Sequence, residues 1–378
     1  MKARIKSDLL ELMMVPGLSG HEDLIRAEIR TKLESEGIQS SSDRLGNLIS
    51  TFKGDVGPSV MVFAHMDQLG FVVRKINDDG NINVVRMGGV PERALLSQAV
   101  LLYSKQKPYL EGIIYNKSHH ITEPDEKYYV PKASEISIDT GLKSKLEVEE
   151  HGIKIGSPVV YKPQTVEMKN DCIAGTSVDD RAGCAVLLEL ARHLKKRKSG
   201  PTVHIVFSVQ EEFNLRGAMS AAHQIKPDIA IQLDLMLATD TPETTEYGDM
   251  ILGEGPGMSL FSFHGRGTLN GVIPHPSLVN LMELSAEQKK IKLQRSAQVG
   301  VLTDLSYIQQ LGNGVASIDI GFPLRNSHSS LEICNVNDLV SLEVLLETAL
   351  SNITLSLIHI SEPTRQAEIS YAVFCVKK

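Results

Sequence analysis

Cysteine is scarce in this chain of 378 residues: Cys172, Cys184, Cys334 and Cys375 are scattered, with no Cys-x-x-Cys pair. A disulfide framework is therefore not expected, and the thiols read as reduced and mostly buried, as in a cytoplasmic protein. An excess of basic residues is also missing. Lys and Arg number 39 against 46 Asp and Glu, giving a net charge of −7 and a pI of about 6.0. This balance argues against nucleic acid or an anionic membrane as the main partner. The one basic run, Lys195-Lys196-Arg197-Lys198, ends a predicted helix, where cations suit the dipole. Long apolar runs are absent too. No stretch approaches the length needed to span a bilayer. Near the start, Leu9, Leu10, Leu12, Met13 and Met14 are interrupted by Glu11 and ended by Pro16, which fits an amphipathic helix better than a signal peptide. No internal repeat is visible.

What is present is an alternation of apolar strands and amphipathic helices. The composition is 42% hydrophobic and 22% charged, enough for two domains with cores of their own. Ser19-Gly20-His21-Glu22 has the pattern of a capping box and opens a predicted helix with Leu24, Ile25, Ile29 and Leu33 on one face. From Phe71 to Tyr161 the character changes to short apolar or alternating runs separated by turns such as Asp78-Asp79-Gly80 and Gly88-Gly89-Val90-Pro91. A brief helix fits near Ser137–Lys145. After Lys169 the α/β alternation resumes, through helix 181–196, strand 203–210, helix 215–225, strand 229–234, helix 278–292, strand 297–302, helix 303–311, strand 315–320 and helix 336–352. The expected fold is α/β: a mainly parallel sheet flanked by helices, formed by residues 1–70 and 162–354, with a small β-rich, barrel-like domain inserted at 71–161. After Thr354 the text reads like a conceptual translation of sequencing-adapter DNA. Residues 355–378 are expected to be a non-native tail; a genuine terminal hairpin is the alternative.

The chemistry concentrates where apolar strands end. Met61-Val62-Phe63-Ala64 runs into His65 and Asp67, and strand side chains alternate, so these two share a side. One can bind a metal while the other orients it. Strand 203–210 ends in Glu211-Glu212, and 229–233 ends in Asp234. Charges at such ends are costly unless paired or metal-bound. Asp179-Asp180 precedes a helix; two adjacent carboxylates need a compensating cation, although either could serve as the helix cap. His328 lies in the polar loop Asn326-Ser327-His328-Ser329-Ser330. Two histidines with several carboxylates suit a two-metal hydrolase. Adjacent glutamates could divide metal binding from proton transfer between them.

The segments AHMDQLG, SVDDRAG, VQEEFNLRGA, LDLMLATDTP and PLRNSHSSLE, in this order, resemble the tetrahedral metallo-aminopeptidases, a family that includes glutamyl aminopeptidases and relatives labelled endoglucanases. The resemblance runs from about residue 5 to 353. It implies a two-metal peptidase domain with a β-rich insertion after the His-x-Asp strand. It also implies that His65 binds one metal and His328 the other, with Asp179 bridging and Glu212 and Asp234 each completing one site. Asp179 is chosen because related peptidases join this Asp pair by a cis peptide and ligate through the first. Glu211 would be the general base and acid, and Asp67 would orient His65. Zinc is the expected metal, with cobalt or manganese also compatible. The implied substrates are short peptides with a free N-terminus, and the implied assembly is a homo-dodecamer built through the insertion. Three departures stand out. Gln68 replaces the usual Glu, Arg325-Asn326-Ser327 lacks the usual aromatic, and the ending differs. A deacylase or other amide hydrolase on the same scaffold, or a non-catalytic metal- or peptide-binding assembly, are the competing readings. Arg266 or Arg325 could favour an acidic N-terminal residue.

Overall fold

The structure is a computed structural model describing residues 1–104, 107–265, 270–353 and 357. Arg266 and the tail after Thr354, apart from Leu357, thus lie outside the described residues.

A nine-stranded sheet forms the centre of the molecule. Its four middle strands, Thr202–Ser208, Ser59–His65, Ile229–Leu237 and Ala316–Leu324, are parallel neighbours in that order. They are nearly continuous runs of Val, Ile, Leu and Phe because both faces are covered, so no polar alternation is needed. Val60, Met61, Val62 and Phe63 are all fully buried. The outer pairings of Leu48–Phe52 and Gly257–Phe263 to this block are antiparallel, a common edge arrangement for mixed sheets.

The helices fold over the faces for an equally direct reason. Lys2–Met13 buries Ile5, Leu9, Leu12 and Met13 against the long helix Val178–Lys196. Each such side chain contributes roughly 1.5–3 kcal/mol on burial. Helix Val336–Asn352 starts where Asn335 Oδ1 accepts from the Asn337 N–H (2.8 Å), a cap worth about 1 kcal/mol.

Six strands, Gly70–Ile76, Ile82–Met87, Ser137–Asp139, Lys107–Ile114, Ala99–Ser104 and Pro158–Tyr161, close into a barrel in that order. The barrel has its own core, including Phe71, Val84, Val100, Ile138 and Tyr161. The helix expected near Ser137–Lys145 is not there. Ser137–Asp139 is a strand, and the helix begins only at Lys145, capped by Ser144. Ile138 fills the barrel core, and this burial overrides local helix preference.

A three-stranded antiparallel sheet not anticipated from the sequence joins Thr165–Glu167, Cys172–Gly175 and Glu332–Asn335. It pairs Gly175 with Glu332, so two segments far apart in sequence meet beside Asp179.

Candidate metal centre

The structure brings His65, Asp179 and Asp234 together, and Asp179, Glu212 and His328 together. Within each trio the ligand atoms lie within 4.8 Å of one another, and Asp179 belongs to both. His65 closes its strand. Asp234 does not, because that strand continues to Leu237. Asp234 instead faces Gly321 across the parallel pair, where any larger residue would collide with its backbone. Strand Thr202–Ser208 stops three residues short of Glu211, which sits with Glu212 in a turn. Asp179 and Asp180 are joined by a cis peptide. Asp180 points into the following helix, where Oδ1 accepts from the Gly183 N–H (2.9 Å), so of the two it is the cap.

The two imidazoles are arranged alike. Nδ1 of His65 lies 3.1 Å from the backbone carbonyl of Asp67, and Nδ1 of His328 lies 2.9 Å from that of Gly89. A carbonyl only accepts, so each Nδ1 carries a proton, and each Nε2 is free either to offer a lone pair to a cation or to take a second proton. Yet His65 Nε2 faces Asp179 Oδ1 at 3.0 Å, and His328 Nε2 faces Asp179 Oδ2 at 3.4 Å and Glu212 Oε1 at 3.9 Å. Acceptors facing acceptors need a shared cation or an extra proton. Glu212 Oε1 is also buried and makes no hydrogen bond to a described residue. Two imidazole nitrogens with three carboxylates form a donor set that fits divalent metal ions of the zinc, cobalt or manganese type.

The electrostatics are those of crowded acids. Burial pushes the Glu212 and Asp234 carboxyls up to about 7. Burial, with Asp234, Asp304 and Glu212 nearby, raises Glu211 well above the usual carboxylate range, against the pull of His65. For Asp179 burial also works upward, but His328 and His65 outweigh it and hold the group low.

Asp67 lies against His65 and also has a second set of partners. Its carboxylate Oδ1 is 3.6 Å from His65 Nδ1, farther than its own carbonyl. Both carboxylate oxygens accept backbone N–H groups, from Glu211 (3.0 Å) and Glu212 (3.1 Å). Ser19, expected to cap a helix, donates its hydroxyl to Asp67 as well. The helix Asp23–Ser35 has no side-chain cap.

Two contributors escaped the sequence reading. Glu332 is buried, and its carboxylate accepts the N–H of Asp179 (3.0 Å) and of His328 (2.6 Å), bracing two candidate ligands at once. Its position as the last residue of PLRNSHSSLE was the available signal. Asp304 is buried close enough to raise Glu211, and neither of its oxygens has a hydrogen-bond partner among the described residues. Nothing in its sequence surroundings marked it. Gln68 accepts from the Gly17 N–H (2.9 Å). Arg325 is committed to Asp240 by two hydrogen bonds of 2.8 and 2.6 Å.

The profile of the M42 glutamyl aminopeptidases matches residues 46–345. The chain belongs to this family. SgcX of Escherichia coli (strain K12) is 33% identical over 94% of this chain and 95% of its own length. A TET aminopeptidase from the marine sediment archaeon Thaumarchaeota archaeon SCGC AB-539-E09 superposes with a TM-score of 0.87 at 30% identity, covering 94% of this chain and 98% of that one. The TET1 peptidase of Pyrococcus horikoshii, which can assemble into a tetrahedron or a large octahedral shell, has a TM-score of 0.82 at 26% identity, covering 92% and 99%. Among the described residues of this M42 member, no helix is long and apolar enough to cross a membrane.

Proposed function

We propose that this M42 family member is a two-metal aminopeptidase that removes N-terminal residues from short peptides. His65 and Asp234 would hold one ion, Glu212 and His328 the other, and Asp179 both. The observation that carries this reading is the pair of imidazoles, each with Nδ1 committed to a carbonyl and Nε2 turned toward the same carboxylate. When bound, the ions supply Lewis acidity and lower the pKa of water toward neutrality. Glu211 takes the proton from the water that attacks the scissile carbonyl. The carboxyl then returns this proton to the departing amine, a role helped by a burial-raised proton affinity. Asp67 fixes Glu211 and Glu212 by their backbone N–H groups, so base and ligand keep one spacing. Zinc is the proposed native metal, with cobalt or manganese able to substitute. We further propose that residues 71–161 form the assembly unit of a homo-dodecamer.

The test is hydrolysis of a panel of aminoacyl-chromophore substrates by metal-stripped protein given zinc, cobalt or manganese, beside Glu211→Gln. Restored cleavage that the variant loses by about 10³-fold or more, at unchanged metal content, is the expected result. Metal binding with no cleavage of any aminoacyl amide would sink it.

A further inference from the structure

The Ser19-Gly20-His21-Glu22 segment caps no helix through its side chains, yet Glu22 is only 4% exposed. Its carboxylate Oε1 accepts from the Gly20 N–H (2.7 Å) and from the Gln210 N–H (3.2 Å). With the two amides held by Asp67, three successive N–H groups, of Gln210, Glu211 and Glu212, are gripped by two buried carboxylates. Ser19 ties the grips together, since its hydroxyl donates to Asp67 and its N–H donates to the Gln68 carbonyl (3.2 Å).

The turn needs such anchoring. Gln210, Asn214 and Leu215 have φ of +57°, +64° and +56°, a region that side-chain-bearing residues occupy only where surrounding contacts enforce it. Asp67 holds the two glutamates but leaves Gln210 untouched. The Gln210 carbonyl accepts from the Arg216 N–H (3.2 Å) within the turn itself, and Glu22 is the side chain that holds its N–H, tying the turn to the rest of the fold just before Glu211.

We propose that Glu22 is a positioning residue for Glu211, acting through the backbone of Gln210 without touching substrate or metal. The inference rests on the assignment of Glu211 as the base. Glu22→Gln keeps an oxygen that can accept both N–H groups. Glu22→Ala removes it, and Glu22→Asp keeps the charge but shortens the reach.

The experiment compares the three variants as full chains with metals restored, reading kcat, KM, metal content, and amide hydrogen exchange across residues 209–216. For Glu22→Ala the expected result is a kcat lower by about 10- to 100-fold with KM within about twofold, since small misplacements of a reacting group carry penalties of this size. Metal content should be unchanged and exchange across the turn faster, while Glu22→Gln stays within about threefold of wild type. Should the alanine variant fail to fold, Glu22→Asp carries the same expectation. An unchanged kcat, or a loss of kcat that tracks a loss of metal, overturns the proposal. Exchange separates this failure from that of the function itself. If the wild type cleaves no peptide, faster exchange in Glu22→Ala still supports the anchoring and unchanged exchange refutes it.

Discussion

Gly89 shows how much of the candidate metal centre depends on single atoms. Its carbonyl accepts from His328 Nδ1, and a Cβ built on it would lie 2.9 Å from that nitrogen and 3.2 Å from Cε1. Contacts that short force something to move, and the imidazole sits at the end of a rotatable side chain. Gly89→Ala is therefore expected to displace His328 while leaving His65, Asp179 and Asp234 in place. Metal per chain, measured by plasma emission after dialysis, should fall from two toward one with little change in Tm. Retention of both ions would show that His328 is not a ligand. Arg181 offers a second residue-scale test. This side chain is fully buried, with Nε and Nη1 lacking hydrogen-bond partners among the described residues and Nη2 reaching Gln68 Oε1 at 3.5 Å. Burial lowers its pKa to about 10. Gln68→Glu would place a carboxylate beside it, and a hydrogen bond to a charged group contributes about 1.5–3 kcal/mol. Tm should rise. A fall would mean that Asp67 and Glu22 already balance the guanidinium. His65 was legible from the end of its strand, whereas Asp179, Glu212, Asp234 and His328 were legible as a ligand set through the family resemblance. The partners of Asp67 were not, because His-x-Asp spacing describes one strand only. The amides that Asp67 holds come from a different one.

At the scale of elements, the contact between helices Val178–Lys196 and Val336–Asn352 encloses an acid. Glu343 is fully buried, and His193 Nδ1 lies 2.6 Å from its Oε1. Burial, with Glu347 and Glu189 nearby, pushes its carboxyl up to about 8, while the N-terminal amine and Arg4 pull down. The sign follows from proton binding. Above pH 4.5 the unfolded chain has released this proton, whereas the folded chain keeps it to about pH 8. Its contribution to stability is thus complete below the unfolded value and is lost as pH rises through the folded one, by at most ~1.4 kcal/mol per pH unit. Glu343→Gln removes this loss. Between pH 5 and 9 the Tm of the wild type should drop relative to that variant; parallel curves would place a charged Glu343 in the fold. The helix itself was plain from its apolar periodicity. The three-stranded sheet was not, since Cys172–Gly175 pairs with Glu332–Asn335 across more than half the chain's later portion, and four-residue strands carry almost no pattern. That sheet delivers Glu332 to Asp179 and His328, so the missed element and the missed residue have one cause.

For the whole molecule, the surface of the barrel bears on assembly. Tyr109, Ile113, Tyr115, Ile121, Tyr128 and Tyr129 are all exposed, Tyr128 by 92% and Ile121 by 66%. A cavity lined by Tyr115, His119, Tyr128, Tyr129 and Ile136 opens in the same region. Scattered exposed apolar residues are ordinary, but Tyr115, Tyr128 and Tyr129 gathered around one cavity have the composition of an interface core. In the proposed dodecamer the partner at this surface is a second copy of the chain. Light scattering should then give a mass near 500 kDa, twelve times the 41.4 kDa chain. Asp in place of Tyr128 or Ile121 would bury a charge at each contact, at a cost well beyond the tolerance of a repeated interface. Ile121→Asp should therefore shift the mass to a smaller species. The five candidate ligands, and the Gly89 carbonyl that braces His328, all come from one chain. Cleavage of a dipeptide substrate should persist in the smaller species. A single species of about 41 kDa in the wild type would remove the assembly proposal and leave the chemistry untouched.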